Sequence, residues 1–211
     1  MIPKSIKHVQ LSGQIWSTAI DYGVNQLYLD VRDREKNSIE FVQLDLSSLK
    51  ALTKAIDISW WSQLFSVSKG ALYFIEYEDQ SDPASKNHFV IDWKTEKRKK
   101  IEQVPKDKEH IKYPEIYEHG TEYHRTVADF LSLELPLSCE YLEWNDKIII
   151  SYYLRSGKVF ERFLLLLKDG AKEWKITQDE SMKGFSPGAF FVFKNQLIFI
   201  KDQNEVCVYT G

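Results

Sequence analysis

The sequence predicts an all-β chain built from repeated, four-stranded antiparallel sheets. Three observations carry that expectation. Short runs alternate apolar and polar residues with the two-residue period of a half-buried strand. Aromatic residues reach 14% of the 211 residues, with six Trp, eleven Tyr and twelve Phe, and large flat side chains suit pleated surfaces. One plan also recurs four times along the chain: a turn, an aromatic-rich strand, a polar loop and a second apolar strand.

The elements follow in order. Residues 6–11 (Ile6-Lys7-His8-Val9-Gln10-Leu11) read as a strand without a unit of its own. The first unit opens with a strand at 15–20, turns at Asn25-Gln26, and continues through Leu27-Tyr28-Leu29-Asp30 and residues 39–45. Leu46, Leu49, Leu52 and Ile56 then fall at helical spacing behind Ser47-Ser48, so a short helix competes there with a loop and an outer strand. The second unit has strands at 60–67, 72–77 and 89–92, with a turn at Lys69-Gly70 and a weaker outer strand at 97–104. Residues 79–85 are a turn cluster, and the second half of the charged stretch 94–112 reads as a connector. The third unit places strands at 140–144, 148–153, 162–167 and 173–176. The tight turn Lys168-Asp169-Gly170 joins its last two strands, and both central residues of such a turn need positive φ. The fourth unit has strands at 189–193, 197–200 and 206–209 and stops after the third.

The strand anchors Leu27, Leu72, Ile148 and Leu197 are about 45, 76 and 49 residues apart. Periods of about 40–50 residues are those of propeller blades. The long middle gap is close to two short periods and predicts a fifth unit within 111–136, with strands at 113–117 and 127–135; residues 119–133 stay ambiguous. The expectation is a single β-propeller-like domain over residues 1–211, of five blades or alternatively four. Pairing of residues 6–11 with the C-terminal strand would supply the missing fourth strand and close the ring, leaving no open edge there.

Two segments, Val90-Ile91-Asp92-Trp93-Lys94-Thr95 and Asp169-Gly170 through Trp174, resemble propeller repeats that end a strand in Asp, turn, and carry a Trp on the next strand. The chain as a whole resembles an uncharacterised domain family of Bacteroidetes with no assigned activity. The carriers are Trp60-Trp61, residues 72–77, Cys139-Glu140-Tyr141-Leu142, Ser151-Tyr152-Tyr153, and Phe190-Phe191 followed by residues 197–200. This resemblance implies a fold and no reaction.

Charge and motif content narrow the function. A net charge of -3 gives no global positive field for nucleic acid. No apolar run is long enough for a membrane span, and the N-terminus lacks signal-peptide character, so a cytoplasmic location is expected. Cys139 and Cys207 lie among apolar neighbours and read as buried thiols. No phosphate-binding glycine loop occurs, and no cofactor is expected. His110, His119 and His124 share a segment with Glu109, Glu118 and Glu122, but their spacing fits no ligand motif and no metal site is expected. Asp30, Glu76, Asp92 and Glu143 are the carboxylates that glycoside chemistry would draw on, although acidic strand ends are ordinary turn formers. The basic run 94–100 reads as a solvated edge strand whose lysines block edge-to-edge pairing.

Aromatics remain. Within Trp60-Trp61 and Tyr152-Tyr153, adjacent strand residues face opposite ways, which predicts one ring in the core between blades and one on a loop face or channel. The reading is a non-catalytic binding or scaffold module with a protein or small-ligand partner, and Trp61, Tyr77, His124, Tyr152 and Arg155 as the surface to test. The rival is an enzyme acting on a small molecule or glycan, with acidic and histidine residues converging at a central channel.

Overall fold

The structure is a computed structural model that describes residues 3–79, 85–102 and 111–211. The chain is almost entirely β, with four antiparallel sheets of four or five strands and one α-helix among the described residues. It divides into two compact units: one is Gln10–Glu109, the other Met1–Val9 with His110–Gly211. The first strand, β1 (Ile6–Gln10), belongs to the second of these and is taken up with it below.

The Gln10–Glu109 unit holds two meanders. The first runs β2 (Gln14–Asp21), β3 (Gln26–Asp33), β4 (Ser38–Asp45) and β5 (Ala51–Ala55), each hydrogen-bonded to the next. The second repeats it with β6 (Ser62–Ser68), β7 (Ala71–Tyr77), β8 (Lys86–Asp92) and β9 (Arg98–Ile101). Matching hairpins mark the repeat. Asp45 accepts the backbone N–H groups of Ser47 (3.1 Å) and Ser48 (2.7 Å) and the Ser48 hydroxyl (2.8 Å). Asp92 does the same for Lys94 (3.1 Å), Thr95 (2.7 Å) and the Thr95 hydroxyl (2.8 Å). The turns close with Leu49 and Glu96 in the left-handed region, at φ 56 and 60.

Residues 46–58 therefore form the turn and outer strand rather than the helix that their leucine spacing allowed. The two serines serve the Asp45 turn instead of capping a helix. The basic run ends in β9, whose three leading residues are exposed at a sheet edge, as expected of a lysine-guarded edge. Between the two sheets, Tyr28 and Phe41 pack with Leu64, Leu72, Phe74 and Phe89. Trp93 closes the cluster: its ring meets Tyr28 edge-on at 5.3 Å, and its indole N–H donates to Gln43 Oε1 at 2.8 Å.

The other unit begins with two short strands, β10 (Ile111–Lys112) and β11 (Glu115–Tyr117), followed by helix α1 (Glu122–Leu131). Then come β12 (Cys139–Trp144), β13 (Lys147–Ser156), β14 (Val159–Lys168), β15 (Ala171–Met182), β16 (Phe190–Phe193), β17 (Gln196–Lys201) and β18 (Glu205–Thr210). One sheet has the order β11-β12-β13-β14-β15; the other has β1-β18-β17-β16-β10. The Asp169-Gly170 turn has both residues at positive φ, 49 and 75, as its sequence requires.

The fifth unit expected within 111–136 is absent from the described residues, and the count of sheets is four. Residues 111–117 are divided between the edges of two existing sheets. Residues 122–131, where a strand was expected to begin at Val127, are helical. Thr121 caps them, its side chain accepting the His124 N–H at 3.3 Å, and Ser132 ends them at φ 54. Val127 and Leu135 press onto Cys139, Ile150, Tyr152 and Leu165, so the helix covers one face of the β11–β15 sheet. The opposite face, with Ile149, Leu164, Leu166 and Trp174, packs on Phe190, Leu197, Phe199 and Cys207 of the other sheet.

The pairing expected between the terminal strands is present: β1 lies beside β18. Ile6 is buried in the same cluster as Cys207 and Tyr209, and His8 Nδ1 meets the Glu205 carboxylate. The connector expected in the second half of 94–112 and the turn cluster at 79–85 fall largely on residues 103–110 and 80–84, outside the described residues.

Candidate functional site

A cleft of about 260 Å³ opens within the Gln10–Glu109 unit. Its residues come from three places. Trp16 and Ser17 lie on β2, Asp30 and Arg32 on β3, and the segment 60–63 leads into β6; Tyr77 ends β7. Strand alternation explains the floor. Tyr28, Asp30 and Arg32 point to one face of β3. Tyr28 continues the core, whereas Asp30 and Arg32, 0% and 2% exposed, carry a charge pair into it.

That pair is closely engaged. Arg32 Nε and Nη2 donate to the two Asp30 carboxylate oxygens at 2.9 and 2.7 Å. The same guanidinium donates through Nη1 to the Trp60 carbonyl and through Nη2 to the Ser62 carbonyl. One of its five N–H donors is left beyond these four bonds. Burial pushes the Asp30 carboxyl above its ordinary value, opposed by the Arg32 hydrogen bonds and charge. Indoles frame the guanidinium: it lies 4.5 Å from the Trp16 ring centroid and 5.4 Å from that of Trp60, and the two rings meet edge-on at 5.7 Å. Trp61, 50% exposed, forms the rim with Trp16 at 38%.

The five residues singled out from sequence do not form one surface. Trp61 and Tyr77 share this cleft. His124, Tyr152 and Arg155 belong to the other compact unit. His124 is buried at the helix N-terminus, with Nε2 2.9 Å from the Leu137 carbonyl and its ring 5.0 Å from that of His119. It ties the helix to the segment that follows. Tyr152 is 2% exposed and stacks on Phe163 at 5.6 Å, so it is a core residue. Tyr153, on the opposite face of β13, is buried as well: its hydroxyl donates to the Ser186 carbonyl and accepts from the Ser186 N–H, both at 3.1 Å. The expectation that one ring of Tyr152-Tyr153 would reach a loop face is corrected, because β13 is covered on both faces. Arg155 is exposed near the end of β13, 5.7 Å from the Phe160 ring.

The carboxylates are likewise dispersed. Glu76 accepts from the Ser62 hydroxyl (2.9 Å) and Arg98 (2.7 Å), Asp92 holds its turn, and Glu143 accepts from the Tyr141 hydroxyl at 2.8 Å. No three metal-binding side chains converge among the described residues; His110 and Glu109 lie outside them. Burial raises the Cys139 thiol to about 11 and the Cys207 thiol to about 12, which keeps both as packing groups.

Sequence reasoning weighed Asp30 only as one of several carboxylates and missed Arg32 altogether. The available signal was the pair at i and i+2 on a strand whose other residues are apolar. Two opposite charges on one face of a buried strand point to each other.

Comparison with known proteins adds little to this geometry. A family model described as a domain of unknown function (DUF4905) matches residues 20–98, which include Asp30, Arg32, Trp60, Trp61 and Tyr77. No curated protein matches the chain. Among solved structures, the acylaminoacyl peptidase of Pyrococcus horikoshii is similar at 13% identity over 90% of this chain, with a TM-score of 0.27. The chain spans 36% of that peptidase.

Proposed function

We propose that the protein is a non-catalytic binding module and that the tryptophan-lined cleft of the Gln10–Glu109 unit is where its ligand sits. The observation that carries this reading is the half-exposed Trp61 beside Trp16, over a charge pair that is already satisfied. The Arg32 guanidinium occupies the cation position over Trp16 and Trp60, and Asp30 neutralises it. A ligand here meets flat apolar faces and neutral polar edges such as Gln63. This chemistry suits a small uncharged molecule with a flat face, of the kind a pyranose ring or a planar heterocycle presents.

The rival enzyme reading draws on Asp30, whose carboxyl is raised by burial. Both of its oxygens accept from Arg32, which leaves neither turned toward a substrate proton, so binding is the better supported of the two. The repeated meanders and the β1–β18 pairing support a single propeller-like domain of four sheets, and two unbridged cysteines support a reducing, cytoplasmic setting.

The test is a titration by tryptophan fluorescence and NMR against mono- and disaccharides and planar heterocycles. Binding that Trp61→Ala weakens at least tenfold, with the melting temperature unchanged, supports the assignment. A ligand that binds Trp61→Ala as well as it binds the parent protein places the site elsewhere.

A further inference from the structure

A second cleft, also of about 260 Å³, lies in the other unit between α1 and the β11–β13 edge of its sheet. Its floor is Ile148 and Ile150 of β13. Its walls are aromatic. Tyr117 of β11 stacks on Tyr141 of β12 at 5.4 Å and on Tyr123 of α1 at 5.3 Å, while Phe130, 56% exposed, closes the helix side. The packing that builds it is one-sided. Val127 and Leu131 seat the helix on the sheet, and the flanking Tyr123 and Phe130 overhang it.

The charge here has one sign. Glu143 lines the cleft beside Ile148, its partner across the β12–β13 ladder. Glu115 stands opposite Tyr141 across the β11–β12 ladder and therefore on the same face. Among the described residues, no lysine or arginine lines the cleft. Burial raises the Tyr117 hydroxyl, and the nearby Glu115 and Glu143 charges push it the same way. Unlike Asp30, neither carboxylate forms an ion pair with a basic side chain among the described residues. The Tyr141 hydroxyl engages only one Glu143 oxygen.

We infer that this cleft binds a small organic cation with an apolar body, such as an aryl or alkyl quaternary ammonium. Ring faces that carry negative charge density attract a weakly hydrated cation, Glu143 and Glu115 supply the countercharge at the rim, and the isoleucine floor takes the apolar part. A neutral apolar molecule would gain the floor and lose the rest. An anion would meet two carboxylates.

The experiment uses the full chain and NMR titration with phenyltrimethylammonium, set against its uncharged isostere tert-butylbenzene. The expected result is a saturable shift of the Tyr117, Tyr141 and Phe130 ring resonances by the cation, with the isostere about tenfold weaker or worse. Glu143→Gln, an exposed substitution that keeps an oxygen for the Tyr141 hydroxyl, should weaken the cation about tenfold and leave the isostere unchanged. Phe130→Ala should weaken both. Equal affinity for the two probes, or indifference of the cation to Glu143→Gln, would overturn the inference. So would the absence of any ring shift at tens of millimolar cation in a protein that still melts cooperatively.

Discussion

Each compact unit buries one arginine–aspartate pair, and the two pairs are put to different use. In the Gln10–Glu109 unit, Arg32 grips both oxygens of Asp30 and the carbonyls of Trp60 and Ser62, fixing the segment that enters β6. In the other unit, Arg162 holds Asp179 through Nη2 and the Ser186 carbonyl through Nη1 at 3.3 Å, fixing the segment ahead of β16. Both are clamps that pin the entry of a neighbouring sheet. Their surroundings differ. Arg162 is walled in by Tyr153 and Ser186, and its Nε has no hydrogen-bond partner among the described residues. Arg32 is framed by indoles, with Trp61 half exposed at the rim of an open cleft. A buried charge pair is thus a device for holding chain segments together, and it becomes the floor of a site only where the walls above it stay open.

The largest effects should come from breaking either clamp. Arg162→Met leaves Asp179 buried without its partner and should lose about 3–5 kcal/mol in urea unfolding. Arg32→Met should lose a similar amount and in addition abolish ligand binding in the cleft. A ligand that binds equally well to Arg32→Met would separate the two roles and break the comparison. Replacing both members, Arg162→Met with Asp179→Leu, should recover much of the lost stability, because no unpaired charge remains.

Aromatic truncations should show the same contrast at smaller scale. Tyr152→Ala empties a fully buried position and should cost about 3–5 kcal/mol by chemical denaturation. Trp61→Ala should change stability by less than about 0.5 kcal/mol, since its ring is half in solvent. Loss of the cooperative melt in Trp61→Ala would show that the ring is structural after all.

Acid titration gives the finest test. Asp45 and Asp92 are held below their ordinary values, first by the backbone N–H groups of Ser48 and Thr95. A carboxyl depressed on folding contributes stability that is present above its unfolded value, near 4, and is lost as the pH falls through the folded one. Asp30 and Asp179 have the opposite sign, raised first by burial. Their contribution declines as the pH rises from the unfolded value through the folded one. Asp92→Asn should therefore flatten the loss of stability below pH 4, as read by melting temperature against pH. An unchanged acid limb would mean that the turn carboxylates do not set it.

Much of the fold was legible because strand alternation and turn chemistry are local. Leu27, Leu72 and Leu197 are all fully buried where the repeat placed them, and Asp169-Gly170 turns as its residues demand. The middle of the chain was misread because the rhythm of anchors is blind to insertions. The interval between Leu72 and Ile148 is long because it holds a helix, announced only by Thr121 as a cap and by Val127 and Leu131 one turn apart. The site was half legible. Trp61 and Tyr77 came from aromatic content, but sequence cannot tell that β13 is covered on both faces, which is what buries Tyr152. Arg32 was missed because only its i, i+2 spacing from Asp30 marked it, and its other partners, the Trp60 and Ser62 carbonyls, have no signature in the sequence.

The place of β1 beside β18 sets a schedule for biosynthesis. At about 5–20 residues per second, Ile6–Gln10 is synthesised about 10–40 s before Glu205–Thr210. During that interval the segment has no strand to join. The β2–β9 meanders can form from contacts already synthesised, whereas the sheet that ends in β1 must wait for β18. That pairing joins segments far apart in sequence, the long-range kind of contact that topology makes slow to form.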